Sequence, residues 1–220
     1  MTLAAILFDL DSTLYPRSAG VQHALDERMN AYVQRVTGCA LEEAPILRDS
    51  WFKRYGTTLA GLQHEYHIDA EDYLRVIHDI QLETFLKRDP ELDALLEQLD
   101  LQRAIFTNSP AEHAARVLRT LGVARHFPLI FDIRFFEFQP KPKLTAYTRA
   151  LDALGVAAGE TLLIEDMPQN LPPARELGMR TILIDEQGTH TADGIADHVS
   201  PDIRAALRIV LNGGIRSVRA

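Results

Sequence analysis

Short apolar runs recur along the chain, and each stops at a polar cluster. Leu3–Phe8 ends at Asp9, Arg103–Phe106 at Thr107-Asn108-Ser109, Thr161–Ile164 at Glu165-Asp166, and Thr181–Ile184 at Asp185-Glu186. Runs this short, without polar alternation, predict strands buried on both faces. Helical patterns lie between them. Ser109-Pro110-Ala111-Glu112 reads as a capping box with proline at the first helical position, followed by Ala114, Val117, Leu118 and Leu121 on one face and closed by Gly122. Leu144–Leu154 closes likewise at Gly155, and Pro173–Leu177 at Gly178. Strands that alternate with helices predict an α/β fold, a doubly wound (Rossmann-like) parallel sheet. Ligands of such sheets bind beyond the carboxyl ends of the strands, so the polar clusters are expected to converge on one place.

The stretch from Pro16 to Lys87 departs from this rhythm. It has helical periodicity over Ala19–Thr37, Leu41–Tyr55, Leu59–His67 and Ala70–Phe85, punctuated by Gly38, Gly56 and Ile68-Asp69, and no comparable strand. The expected division is a core of residues 1–15 plus 88–220 and an inserted all-helical cap of residues 16–87. An insertion that leaves the sheet just after its first strand would overhang the strand ends as a lid. The tail Asn212–Ala220, with Gly213-Gly214, is expected to be loosely held.

Composition adds exclusions. The chain has 220 residues, 46% hydrophobic and 25% charged, as expected of a soluble globular protein. A net charge of -8 with a pI near 5.5 argues against a nucleic-acid or membrane partner, both of which need clustered Lys and Arg. Cys39 is the single cysteine, which excludes an internal disulfide and a cysteine-rich zinc site. The apolar N-terminal run lacks a basic leader and stops at Asp9, so the expectation is a cytoplasmic protein, monomer or homodimer, without a signal peptide.

Chemistry concentrates where the first run ends. In extended backbone, residues i and i+2 point to the same side, so Asp9 and Asp11 can face one small site, inviting a cation, a proton relay or both. Asp-Leu-Asp is equally a common way to end a buried strand in solvated turn residues. None of the histidines, including His64, His67, His113 and His126, has a second ligand at metal-binding spacing, so they are expected to be surface or packing residues.

With Asp9-Leu10-Asp11-Ser12-Thr13 followed in order by Thr107-Asn108-Ser109, by Lys141-Pro142 with Tyr147, and by Glu165-Asp166-Met167-Pro168-Gln169-Asn170, the chain resembles the haloacid dehalogenase-like hydrolase superfamily over nearly its whole length. The resemblance implies a phosphate monoester hydrolase acting through an aspartyl-phosphate on a small-molecule substrate. Asp9 would be the nucleophile, Asp11 the general acid and base, and Lys141 the lysine paired with the nucleophile and the transferring phosphoryl group. Thr107 and the Asn108 amide would hold phosphate. Mg²⁺ would be bound by Asp9, the Asp11 carbonyl and Asp166, with Glu165 near it, and Asn170 would orient that shell or simply start a helix. Lys143 competes with Lys141 but is expected one turn into the helix, as a surface charge. An acid at position 11 separates phosphatases from dehalogenases, since a halide leaving group needs no proton.

Leu14-Tyr15-Pro16 and Arg54–Leu62 further resemble the pyrimidine 5'-nucleotidase branch, which implies UMP and CMP as substrates and Arg54 and Tyr55 as cap contacts, while Trp51 is either a base platform or a packing residue. Ser12 departs from the Asp or Asn common there. The alternatives are a broad sugar-phosphate or phosphoglycolate phosphatase, a phosphonate-cleaving relative needing a cap lysine such as Lys53 or Lys87, and a non-catalytic phosphometabolite-binding module.

Overall fold

The computed structural model describes residues 3–215, so of the tail only 212–215 is covered and 216–220 lie outside the described residues. Gly20–Phe85 forms one compact unit; the chain up to Ala19 and from Leu86 forms the other.

The second unit is built on a six-stranded, wholly parallel sheet. In chain order its elements are β1 (Ala5–Phe8), β2 (Gln102–Phe106), β3 (Leu129–Phe131), β4 (Thr161–Glu165), β5 (Arg180–Ile184) and β6 (His198–Ser200), arranged β3-β2-β1-β4-β5-β6. The four predicted strands are present. β3 and β6 are additional, and both are three-residue edge strands only partly buried, too short to produce an apolar run. The central strands β1 and β4 are buried along their whole length. One sheet face packs Leu7, Phe106 and Leu163 against Ala146, Tyr147, Ala150 and Leu151, and burial of such side chains at roughly 25 cal/mol per Å² is the main stabilising term.

The helical unit contains α1 (Val21–Thr37), α2 (Ala44–Tyr55), α3 (Thr58–Tyr66) and α4 (Ala70–Ile77). The sheet unit adds α5 (Pro90–Glu97), α6 (Ala111–Leu121), α7 (Leu144–Leu154), α8 (Leu171–Glu176) and α9 (Ile203–Leu211). The helix expected over Ala70–Phe85 stops at Ile77. Ile80 and Leu82 are both buried, and two residues apart on a helix they would face nearly opposite ways, so the chain turns through a short 3-10 segment at Leu82–Thr84 instead. No helix among the described residues is long and apolar enough to cross a membrane.

Trp51 fixes the helical unit from inside. It is 2% exposed, and Gly61 on α3 leaves room for its indole: a Cβ at position 61 would lie 2.3 Å from Trp51 Cγ and 2.5 Å from its Cβ. Trp51 is therefore a packing residue, and the alternative of a base platform is set aside. Because the clash is with the root of the side chain rather than its tip, Gly61→Ala is expected to cost about 2 kcal/mol, as overpacked cores do. Denaturant unfolding checks this; an unchanged midpoint would contradict it.

Candidate active site

A parallel sheet carries all its carboxyl ends to one edge, and the strand order reverses between β1 and β4. Phe8 pairs with Ile105 of β2 and Ile164 of β4, so the residues just beyond, Asp9, Thr107 and the pair Glu165-Asp166, emerge side by side at the switch point. The Asp9 amide extends the ladder to the Ile164 carbonyl at 2.9 Å, and the Thr107 amide to Phe131 at 2.9 Å.

Asp9 is 7% exposed. Its Oδ1 accepts from Lys141 Nζ at 2.7 Å and its Oδ2 from Thr13 Oγ1 at 2.9 Å. Lys141 Nζ also donates to Glu165 Oε2 at 2.7 Å, and Glu165 Oε1 receives the Met167 amide at 3.1 Å. The lysine is thus a buried cation between two carboxylates. Asn108 fixes its backbone from both sides, donating Nδ2 to the Lys141 carbonyl at 3.0 Å and accepting the Lys141 amide on Oδ1 at 2.9 Å. Lys143 turns away: it is exposed, sits at the N-cap of α7 rather than a turn inside it, and donates to Gln139.

Carboxylates outnumber this one cation. Burial, then the negative charge of Glu165, push Asp9 up to about 7 despite Lys141, and burial followed by the charges of Asp9 and Glu165 push Asp166 up to about 9. Oxygen atoms of Asp9, Glu165 and Asp166 lie within 4.8 Å of one another. A cluster of hard oxygen donors with excess negative charge fits a divalent cation such as Mg²⁺.

Asp11 is in the opposite condition. Its Oδ1 accepts from Tyr15 Oη at 2.6 Å and His113 Nε2 at 2.8 Å, and its Oδ2 accepts from Ser109 Oγ at 2.6 Å. Burial opposes ionisation, but the imidazole of His113 with the Ser109 and Tyr15 hydroxyls holds the carboxyl well below the usual carboxylate range. Two acids two residues apart are therefore driven in opposite directions.

The capping box expected at Ser109 is not formed. Helix α6 begins at Ala111 with Pro110 as its N-cap, the Ala111 amide donates to Asp132 Oδ2 at 3.0 Å, and the Ser109 hydroxyl is committed to Asp11. His113, expected to be a surface or packing residue, is instead fully buried on the first turn of α6 with its ring against Asp11. His126 is likewise a buried partner of a carboxylate, Asp93 at 2.8 Å.

The remaining predicted residues fall in three places. Thr107 is buried beside Asp9's strand, its Oγ1 accepting the Ser109 amide at 3.0 Å. Asn170 is buried, and its carbonyl receives the Tyr147 hydroxyl at 2.6 Å. Arg54 and Tyr55 belong to the helical unit, where both approach Glu65, at 3.7 Å and 3.1 Å, and the guanidinium lies 5.1 Å from the tyrosine ring centroid. Ser12 has φ +63°, a left-handed conformation that favours Asn and Asp among non-glycine residues.

Comparison with known proteins agrees with this arrangement. The profile of the haloacid dehalogenase-like hydrolases matches residues 3–178. Phosphate metabolism protein 8 of Saccharomyces cerevisiae is 29% identical over 192 residues, covering 80% of this chain and 60% of the yeast protein, so the chain spans well under the full length of that relative. Glyceraldehyde 3-phosphate phosphatase of Methanocaldococcus jannaschii is 24% identical over 194 residues, covering 83% of this chain and 85% of that one. Among solved structures, the HAD phosphatase from Thermococcus onnurineus superposes with a TM-score of 0.65 at 20% identity, covering 98% of this chain and 100% of the other.

Proposed function

Because the chain belongs to the haloacid dehalogenase-like hydrolase family, we propose that it hydrolyses small phosphate monoesters with the help of Mg²⁺, Asp9 being the nucleophile and Asp11 the proton carrier. One observation carries this reading: Asp9 is paired with a buried lysine, whereas Asp11, two residues on, is held by three neutral or cationic donors and has no lysine.

Asp9 attacks phosphorus and displaces the leaving alkoxide, and the resulting aspartyl-phosphate divides one slow step into two faster ones. Lys141 offsets negative charge on the nucleophile and on the phosphoryl oxygens, positioned through its backbone by Asn108. Thr107 and the Asn108 amide form the phosphate cradle. Asp11, ionised in the free site, takes the proton that the phosphate monoester carries as its monoanion and passes it to the leaving oxygen; deprotonated by that transfer, it accepts a proton from the water that hydrolyses the acyl phosphate. Asp9, Asp166, the Asp11 carbonyl and Glu165 would hold Mg²⁺, with Asn170 supporting that shell. When bound, the ion supplies charge neutralisation at the phosphoryl oxygens and orients the phosphate.

Substrate choice is assigned to the helical unit acting as a cap over residues 16–87, with Arg54 and Tyr55 as substrate contacts. Pyrimidine nucleoside 5'-monophosphates are the proposed substrates, on the strength of the Leu14-Tyr15-Pro16 and Arg54–Leu62 segments. The sugar-phosphatase alternative draws on the phosphatase named among the relatives, which acts on a triose phosphate by its name.

The test is phosphate release from p-nitrophenyl phosphate, UMP, CMP and a set of sugar phosphates. Turnover is expected with Mg²⁺ and is expected to vanish when EDTA removes it. Saturating Mg²⁺ at about 100 times its Kd should also add about 2.7 kcal/mol of stability by mass action. Equal rates across the panel would overturn the nucleotidase refinement. No phosphate release from any member would overturn the hydrolase reading in favour of a binding module.

A further inference from the structure

Asp11 is surrounded by more hydrogen-bond donors than proton transfer itself requires. An ionised carboxylate offers about four acceptor sites. Three are filled: Oδ1 takes Tyr15 and His113, and Oδ2 takes Ser109. Each donor comes from a different position along the chain. Tyr15 follows the first strand by a few residues, Ser109 closes the loop after β2, and His113 lies on the first turn of α6. His113 is 102 residues from Asp11 in sequence and has no exposed side-chain surface, while the Asp11 side chain keeps 16% of its own. A carboxylate can only accept, so Nε2 carries the hydrogen in this contact.

We infer that His113 is a positioning residue for the proton-transfer step, turning the Asp11 carboxylate, together with Tyr15 and Ser109, so that Oδ2 alone is left open to exchange a proton with the substrate. The assignment rests on the phosphatase reading. Oδ1, doubly engaged, has no lone pair left to carry the proton that passes to the leaving oxygen. Oδ2 has one, and it belongs to the edge of the carboxyl that the imidazole does not cover. With the ring removed, the carboxyl could rotate about its χ2 axis, a broad and soft torsion in aspartate, and the two oxygens would interchange. His113 touches no substrate in this account. It acts through Asp11, and its importance therefore scales with how much the leaving group needs a proton.

That dependence separates positioning from mere support of the fold. A p-nitrophenolate leaves without protonation, whereas a simple alkoxide must be protonated as the P–O bond breaks. Rates of the leaving-group step are measured in single turnovers with p-nitrophenyl phosphate and with a primary alkyl phosphate, for the wild type, His113→Phe and His113→Gln. His113→Phe fills the space without donating; His113→Gln retains an N–H donor. For His113→Phe the alkyl phosphate rate is expected to fall about 100-fold, the lower end of what a well-placed proton donor contributes, with KM unchanged and the p-nitrophenyl phosphate rate within about 3-fold of wild type. His113→Gln is expected to restore most of the loss. Equal losses for both substrates, or no loss for either, would overturn the assignment while leaving the phosphatase reading intact. Failure of the wild type to turn over either ester would overturn both. If His113→Phe does not fold, His113→Leu takes its place: a fall in the alkyl phosphate rate relative to the p-nitrophenyl phosphate rate supports positioning, and equal falls in both rates overturn it.

Discussion

Asp9→Asn is expected to abolish turnover, by on the order of 10⁴-fold or more, while leaving the fold intact. The substitution removes the nucleophilic oxygen and little else. Asparagine Oδ1 still accepts the Lys141 ammonium that Asp9 accepts at 2.7 Å, although the Thr13 hydroxyl, now donating at 2.9 Å, must turn to accept from the amide instead. Burial and then the negative charge of Glu165 push Asp9 up to about 7, so the loss of this carboxylate also removes a charge that is costly where it stands. Unfolding midpoints are therefore expected to stay within about 1 kcal/mol of wild type, so that lost activity reports chemistry rather than collapse. A variant retaining a tenth of the wild-type rate would show that another group attacks the phosphate.

Lys141→Met is the second large effect, and it acts on stability as well as rate. Methionine matches the apolar stem of the lysine and removes the charge. The Nζ atom lies 2.7 Å from oxygens of both Asp9 and Glu165, with side-chain exposures of 1%, 10% and 1% for Lys141, Asp9 and Glu165. Breaking a buried pair by removing one partner leaves uncompensated charge and costs about 3–5 kcal/mol. The cost is expected in full in EDTA and reduced when Mg²⁺ is present. Turnover is expected to fall about 10²- to 10³-fold, the range for removal of one preorganised electrostatic group. A double-mutant cycle with Asp9→Asn, read by denaturant unfolding, should show strong coupling, because removing the second charge relieves the first loss. Additive effects would mean that the pair does not act as one unit.

The parts of this molecule that local pattern reveals are those whose partners are supplied by the fold as a whole. An apolar run ending in an acid predicts a buried parallel strand and an acid at its carboxyl end, and the sheet brings Asp9, Thr107, Glu165 and Asp166 together without further instruction. Lys141 has no run before it, yet its side chain reaches Asp9, whereas Lys143 two residues on points to Gln139. What pattern does not reveal is side-chain choice between competing partners. Ser109, followed by proline and glutamate, has the spacing of a capping box, but its hydroxyl goes to Asp11 across a gap of 98 residues and the helix starts two residues later. His113 sits at helical spacing from Val117 and looks like part of an apolar face; only the folded sheet places Asp11 within 2.8 Å of it. β3 and β6 leave no signal in the pattern, because edge strands of three residues need no continuous apolar run. The helix expected over Ala70–Phe85 ends at Ile77 because Ile80 and Leu82, both buried in the folded chain, cannot share one face of a helix.

Asp9 is expected to carry the phosphoryl group between the two steps of the reaction. Wild-type protein mixed with substrate and Mg²⁺, quenched in acid within milliseconds and digested, should yield one phosphorylated peptide, the one containing Asp9, with the label labile to hydroxylamine as an acyl phosphate is. Asp9→Asn treated alike should yield none. A label on any other residue, or rapid turnover by the wild type with no trapped phosphoprotein at any quench time, would contradict the account.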